Sequence, residues 1–213
     1  MMSYTDVNIE YFNRVSNILK NSFERKNFAF NSFMTIDDAN SFLLSSIKEN
    51  DIITFGGSAT LGELNILEKL KTYKNFIDRN NKDLKSEAEI KAFSSDIYLS
   101  SANAISKTGD IVVIDGSGNR VASIIYGPKK VFLICGINKV VDTEEDAIKR
   151  AKTIAATKNS IRFGLENSCN SNDMICDNNC SVDSRLCAYT GIINKSHIKD
   201  RIHIILINSV LGF

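Results

Sequence analysis

The sequence predicts an α/β protein built on a mostly parallel sheet with helices on both faces. Three observations predict it. Short apolar runs at 51–55, 96–99, 111–114, 131–135 and 202–207 recur along the chain, and the middle ones read as strands that are largely buried. Stretches of helical periodicity lie between them. Sequences that cap and turn the chain, such as Thr35-Ile36-Asp37-Asp38 and Gly56-Gly57, sit at the junctions. The 213 residues are 43% hydrophobic and 24% charged, ordinary values that can bury a sizeable core. One domain over residues 1–213 is expected, with an N-terminal helical region over 1–50 and a cysteine-bearing loop at 166–190.

The elements follow in order. Val7, Tyr11, Val15, Ile18 and Leu19 recur at helical spacing and predict a first amphipathic helix from about Asp6 to Arg25. Phe28 to Met34 reads as extended. Thr35 with Asp38 then opens a helix expected to bury Ala39, Phe42, Leu43 and Ile47. After the strand at 51–55, Leu61, Leu64, Leu67 and Leu70 mark another helical face, and Glu87 to Phe93 a short helix. Thr143 with Asp146 forms a second capping box, opening a helix through Ala147, Ile148, Ala151, Ile154 and Ala155. The polar stretch from Glu166 to Thr190 breaks the rhythm before the last strand at 202–207. No internal repeat is visible, and the single proline, Pro128, argues against a long rigid linker.

Charge and composition exclude several roles. Lys and Arg number 26 and Asp and Glu 25, a formal net charge of +1, which gives no support to nucleic-acid or membrane-surface binding. No run approaches the roughly 18 apolar residues of a membrane span. The start, Met-Met-Ser-Tyr-Thr-Asp-Val, lacks the pattern of a signal peptide, so a cytoplasmic location is expected. Five cysteines in that compartment read as thiols or metal ligands rather than structural disulfides.

Two regions carry candidate chemistry. Gly56, Gly57, Ser58 and Thr60 follow a strand and precede a helix. Adjacent glycines let backbone N–H groups converge, the helix start adds partial positive charge, and the hydroxyls add donors, so a phosphate or carboxylate can be held there. The motif is neither a Walker loop nor a GxGxxG fingerprint, and a tight strand-to-helix turn is the plain alternative. Glu63, read near the helix start, is a candidate general base or a helix-dipole residue. Ser100, Ser101 and Asn103 follow the next strand, where open α/β sheets bind ligands. Asp115, Asn119 and Arg120 follow the strand after that. Asp115-Gly116 is also a hairpin-turn signal, and Arg120 is placed to clamp a carboxylate in a bidentate pair. Lys129 and Lys130 read as a solvated pair.

The order of these segments carries a resemblance. GGSAT-L-x-E, then DIYLSSANAISKTGDIVVIDGSGNRVA, then YGPKKVFLICGINKVV and the terminal RIHIILINSVLGF resemble the LUD-domain family of lactate-utilisation proteins over about Asp51 to Phe213. The resemblance implies a fold like the ribose-phosphate isomerase and CoA-transferase group, with a small cysteine-containing C-terminal insertion. It also implies a link, in bacteria, to oxidation of L-lactate or a related 2-hydroxy acid alongside iron–sulfur redox subunits. The fold hosts many activities and does not by itself decide one.

Cys169, Cys176, Cys180 and Cys187 are spaced C-x6-C-x3-C-x6-C. Four soft ligands so close together fit an iron–sulfur cluster or a tetrahedral zinc, although the gaps match neither usual pattern; thiols or disulfides without metal stand beside both. Cys135 reads as a small core residue, and His197 and His203 as surface or structural. Three functions remain open: a redox-pathway subunit, an enzyme or sensor for a small anionic metabolite with a structural zinc, and an interaction module docking through the cysteine loop.

Overall fold

A computed structural model describes residues 3–176, 180 and 182–213. The two initial methionines and residues 177–179 and 181, part of the cysteine-bearing stretch, lie outside them. In chain order the elements are α1 (Tyr4–Arg25), β1 (Ala29–Phe33), α2 (Ile36–Ser45), β2 (Ile53–Phe55), α3 (Ala59–Glu63), α4 (Ile66–Leu70), α5 (Lys85–Lys91), β3 (Ile97–Ser100), β4 (Ala104–Ser106) and β5 (Ile111–Asp115). There follow α6 (Asn119–Ile125), β6 (Lys130–Gly136), β7 (Val140–Val141), α7 (Glu144–Arg150), α8 (Thr157–Phe163), β8 (Tyr189–Ile193) and β9 (Ile202–Ile207). A π-helical stretch, Ala151–Ala156, joins α7 to α8 into one continuous rod.

Among the described residues the fold is α/β, with a five-stranded sheet in the order β1-β9-β6-β3-β2, every pair parallel. The apolar runs are nearly continuous because both faces of this sheet are covered. Along β6, Val131, Leu133 and Cys135 join a core with Phe12, Leu19 and Phe23 of α1. Phe132 and Ile134 turn the other way and pack with Leu43 of α2, Leu61 of α3 and Ile66 of α4. A second sheet, β7-β4-β5-β8, is mixed. One face of it shares the α1 core through Ile105, Ile111 and Val113. Its other face packs Ala104, Val112 and Ile114 on Ala147, Ala151 and Ala156 of the rod.

Several sequence expectations are corrected. The face of α1 that meets the sheet is Phe12, Val15, Leu19 and Phe23, while Val7, Tyr11 and Ile18 are exposed, because the larger phenylalanine row defines the seam. The leucine stripe 61-64-67-70 is two short helices, broken where Asn65 takes a left-handed φ of 52°. β4, β7 and β8 were not anticipated; they are short, and β8 is largely exposed. Asp115-Gly116 turns the chain from a strand into a helix instead of into a hairpin partner. Lys129 is solvated as expected, its side chain 80% exposed even as it bonds Asp96 at 2.6 Å, whereas Lys130 is half-buried, 4.9 Å from the centroid of the Phe132 ring. No helix among the described residues is long and apolar enough to cross a membrane.

Candidate functional site

Parallel strands end on one edge of a sheet, and here the segments leaving β2, β3 and β6 meet there together with the turn after β5. They enclose a cavity of about 400 Å³. Gly57, Ser58, Asn103, Asp115, Asn119 and Arg120 line it, all of them anticipated from sequence. A narrow inner extension of about 30 Å³ is lined by Thr60 and Ser101, and by Lys139 at its floor. The segments singled out from sequence around Gly57–Thr60, Ser101–Asn103 and Asn119–Arg120 therefore come together.

Each position has a local cause. Asn103 ties the centre: its Oδ1 accepts from Ile114 N at 2.9 Å and from Arg120 Nη2 at 2.8 Å, and Arg150 Nη1 donates to its carbonyl. Arg120 Nη2 also donates to the Ile114 carbonyl at 2.6 Å, and Nη1 reaches the Ser101 carbonyl at 3.5 Å. Burial lowers the Arg120 pKa from its usual value, with Arg79 acting the same way and Asp115 and Tyr98 opposing. Asp115 accepts from Arg120 N at 2.7 Å and Val121 N at 3.2 Å, so its carboxylate holds the first turn of α6. Lys139 is 2% exposed and donates to Thr60 Oγ1 and to Ser101 Oγ, each at 2.8 Å. Ser101 Oγ in turn donates to the Ile134 carbonyl at 2.6 Å.

Some expected roles change. The helix after Gly56-Gly57 has five residues, so no long helix dipole makes the cradle; Ser58 Oγ accepts from Leu61 N, which leaves its O–H to donate. Arg120 is built into the wall by Asn103 and Ile114 and is not a loose fork. Glu63 ends its helix rather than starting it; the carboxylate is exposed and accepts from Gly212 N at 2.7 Å. Ser100 is buried with its Oγ unpaired among the described residues. Gly56 is buried behind the turn.

Sequence reasoning missed Arg79, Lys139, Asn159 and Arg162. Asn159 and Arg162 sit three apart on α8 and so share a face, and both line the cavity. Arg162 stacks at 4.3 Å on Phe163 and 5.7 Å on Phe213. Arg79 pairs with Glu89 at 2.9 Å. Lys139 follows the end of β6, and the strand-end rule that selected Ser101 would have selected it too.

The four cysteines are free thiols, and Leu186 of their loop forms part of the cavity wall. The Arg185 guanidinium is held against Cys187, with Cys180 and Cys176 also in its field, and these thiols raise its pKa. Among the described residues no group of three or more His, Cys, Asp or Glu side chains is placed to hold a metal ion.

None of the curated proteins searched matches the chain. Among solved structures it is similar to a DUF162 family protein from Deinococcus radiodurans, with a TM-score of 0.54 and 10% identity, over 92% of this chain and 97% of that one. That likeness concerns the fold. The family model described as LUD domain matches residues 17–207, a span that takes in both sheets and every segment of the cavity mouth, and the chain belongs to that family.

Proposed function

We propose that the chain binds a small anionic metabolite, a carboxylate or a phosphate, in the cavity at the strand ends. The charge balance of the wall carries this reading. Arg120, Arg162 and Lys139 line the cavity and its extension with no salt-bridge partner among the described residues, and Asp115 is the acidic residue lining them. Lys139 is buried and Arg120 partly so, and a cation taken out of water recovers its desolvation cost when an opposite charge arrives, while Arg162 adds its charge from an exposed position on the rim. Guanidinium groups pair with carboxylate and phosphate in fixed geometry. The volume suits a small metabolite. Membership of the LUD domain family supports L-lactate, or the 2-oxo acid it yields on oxidation, as the first ligands to test.

Thermal-shift titration with L-lactate, pyruvate and inorganic phosphate tests the reading. At least one should raise the melting temperature, and Arg162→Ala should weaken that binding about tenfold, the value of one charge-assisted hydrogen bond. Indifference to all three anions would end it.

A second reading is a redox-pathway role with the cysteines as ligands of an iron–sulfur cluster or zinc. Four cysteines within one short loop, with Cys187, Cys180 and Cys176 each acting on the charge of Arg185, support it. Thiolates select these metals, but the loop would have to rearrange around the ion, and no chemical step is assigned to it. Protein prepared without oxygen should then carry stoichiometric iron and sulfide, or zinc, lost in a Cys180→Ser variant. Metal-free protein with four titratable loop thiols would exclude it.

A further inference from the structure

Lys139 is the least expected group at the site. It ends the short turn Ile137–Lys139 that follows β6, and its side chain passes between Thr60 of α3 and Ser101 after β3. An ammonium has three donors. Two are met by hydroxyl oxygens, and no carboxylate among the described residues forms a salt bridge with it. Both hydroxyls donate elsewhere, Thr60 to Leu211 O at 3.5 Å and Ser101 to Ile134 O at 2.6 Å, while accepting from the lysine. The amine lines an extension of about 30 Å³, room for about one water or one ligand oxygen. That extension also carries Arg120 and Arg162, the residues that would hold a carboxylate.

We infer that Lys139 is the proton-exchanging residue of this pocket: it contacts the 2-oxygen of a bound 2-hydroxy or 2-oxo acid, and the anion enters together with a proton. The inference rests on the anion-binding reading above and narrows its ligand class. Arg120, Arg162 and Lys139 line the same extension, so a carboxylate meeting the guanidinium groups would bring the oxygen on its neighbouring carbon toward the amine.

The groups facing the amine come from four elements. Burial is the largest influence and disfavours the charged form. Cys135 of β6 favours it, Arg150 of α7 and Arg120 of α6 disfavour it, and Glu63 of α3 favours it. The outcome is a lysine pushed down to about 8, partly neutral in mildly alkaline solution. An arriving carboxylate favours the ammonium, so the amine takes a proton from solvent as the ligand binds.

Calorimetric titration with L-lactate at pH 8, in two buffers of different ionisation enthalpy, reads this directly. Wild-type protein should take up a measurable fraction of a proton per site at pH 8 and much less at pH 6, where the amine is already charged. Lys139→Arg, permanently charged, should bind with no uptake; Lys139→Met should bind at least tenfold more weakly, with circular dichroism confirming the fold of both. Binding without buffer dependence at pH 8, or uptake that persists in Lys139→Arg, overturns the inference and leaves the anion site standing. Failure of wild-type protein to bind L-lactate or pyruvate overturns the inference too; if phosphate then binds, the anion site survives without this ligand class.

Discussion

At the scale of single residues, burial decides which ionisable groups matter. His203 lies in β9 between the rings of Phe42 and Phe132, at centroid distances of 5.4 and 5.3 Å. Its Nε2 is 2.7 Å from Asn31 Oδ1, and its Nδ1 has no partner among the described residues. Burial, with Lys130 adding and Asp200 opposing, pushes its pKa down to about 4. An unfolded histidine titrates near 6.5, so between those values the unfolded chain binds more protons than the folded one. Stability is therefore full above about pH 6.5 and falls as pH drops toward 4, by up to about 3 kcal/mol at 1.36 kcal/mol per unit. Urea midpoints at pH 7.5 and 5 should show the loss, and His203→Gln should flatten it. An unchanged slope in that variant would assign the acid sensitivity to other groups. The sequence placed His203 correctly in the last strand, and a structural role agrees with its packing. Its neighbours could not be read, because Asn31 and Phe42 come from the opposite end of the chain.

At the scale of elements, the turn between β2 and α3 shows what its glycines are for. Gly56 N donates to the Leu99 carbonyl at 2.9 Å, extending the parallel ladder by one residue. A Cβ there would lie 2.5 Å from Tyr98 Oη and 3.0 Å from Arg120 Cγ. Tyr98 is 2% exposed and cannot retreat. At Gly57 a Cβ would meet the tip of Arg79 at 2.8 Å, a flexible side chain that can swing away. Gly56→Ala should therefore cost about 1–3 kcal/mol and displace Arg120, weakening anion binding, while Gly57→Ala should cost clearly less. Chemical denaturation of the two variants checks the ordering; equal losses would remove this account. The Gly-Gly pair was legible as a site marker. Its physical reason was not, because the requirement comes from Tyr98 and Arg120 packing against the turn and not from its own dihedral angles.

At the scale of the molecule, local pattern and long-range packing divide the result. Apolar runs at 51–55, 96–99, 131–135 and 202–207 were each long enough, and apolar enough, to declare strands covered on both faces. Two capping sequences set where α2 and α7 begin. Those signals lie within a few residues of one another, so the sequence by itself determined a parallel α/β body and the strand-end edge where Ser101, Asp115 and Arg120 belong. Of the second sheet only β5 was read from sequence; β4, β7 and β8 escaped notice because they are two to five residues long and β8 is paired through contacts 70 or more residues away. The cationic character of the cavity was decided by tertiary structure alone. Arg120, Lys139 and Arg162 reach one space from three separate elements, and Lys139 and Arg120 acquire their low-dielectric surroundings only because distant segments close over them.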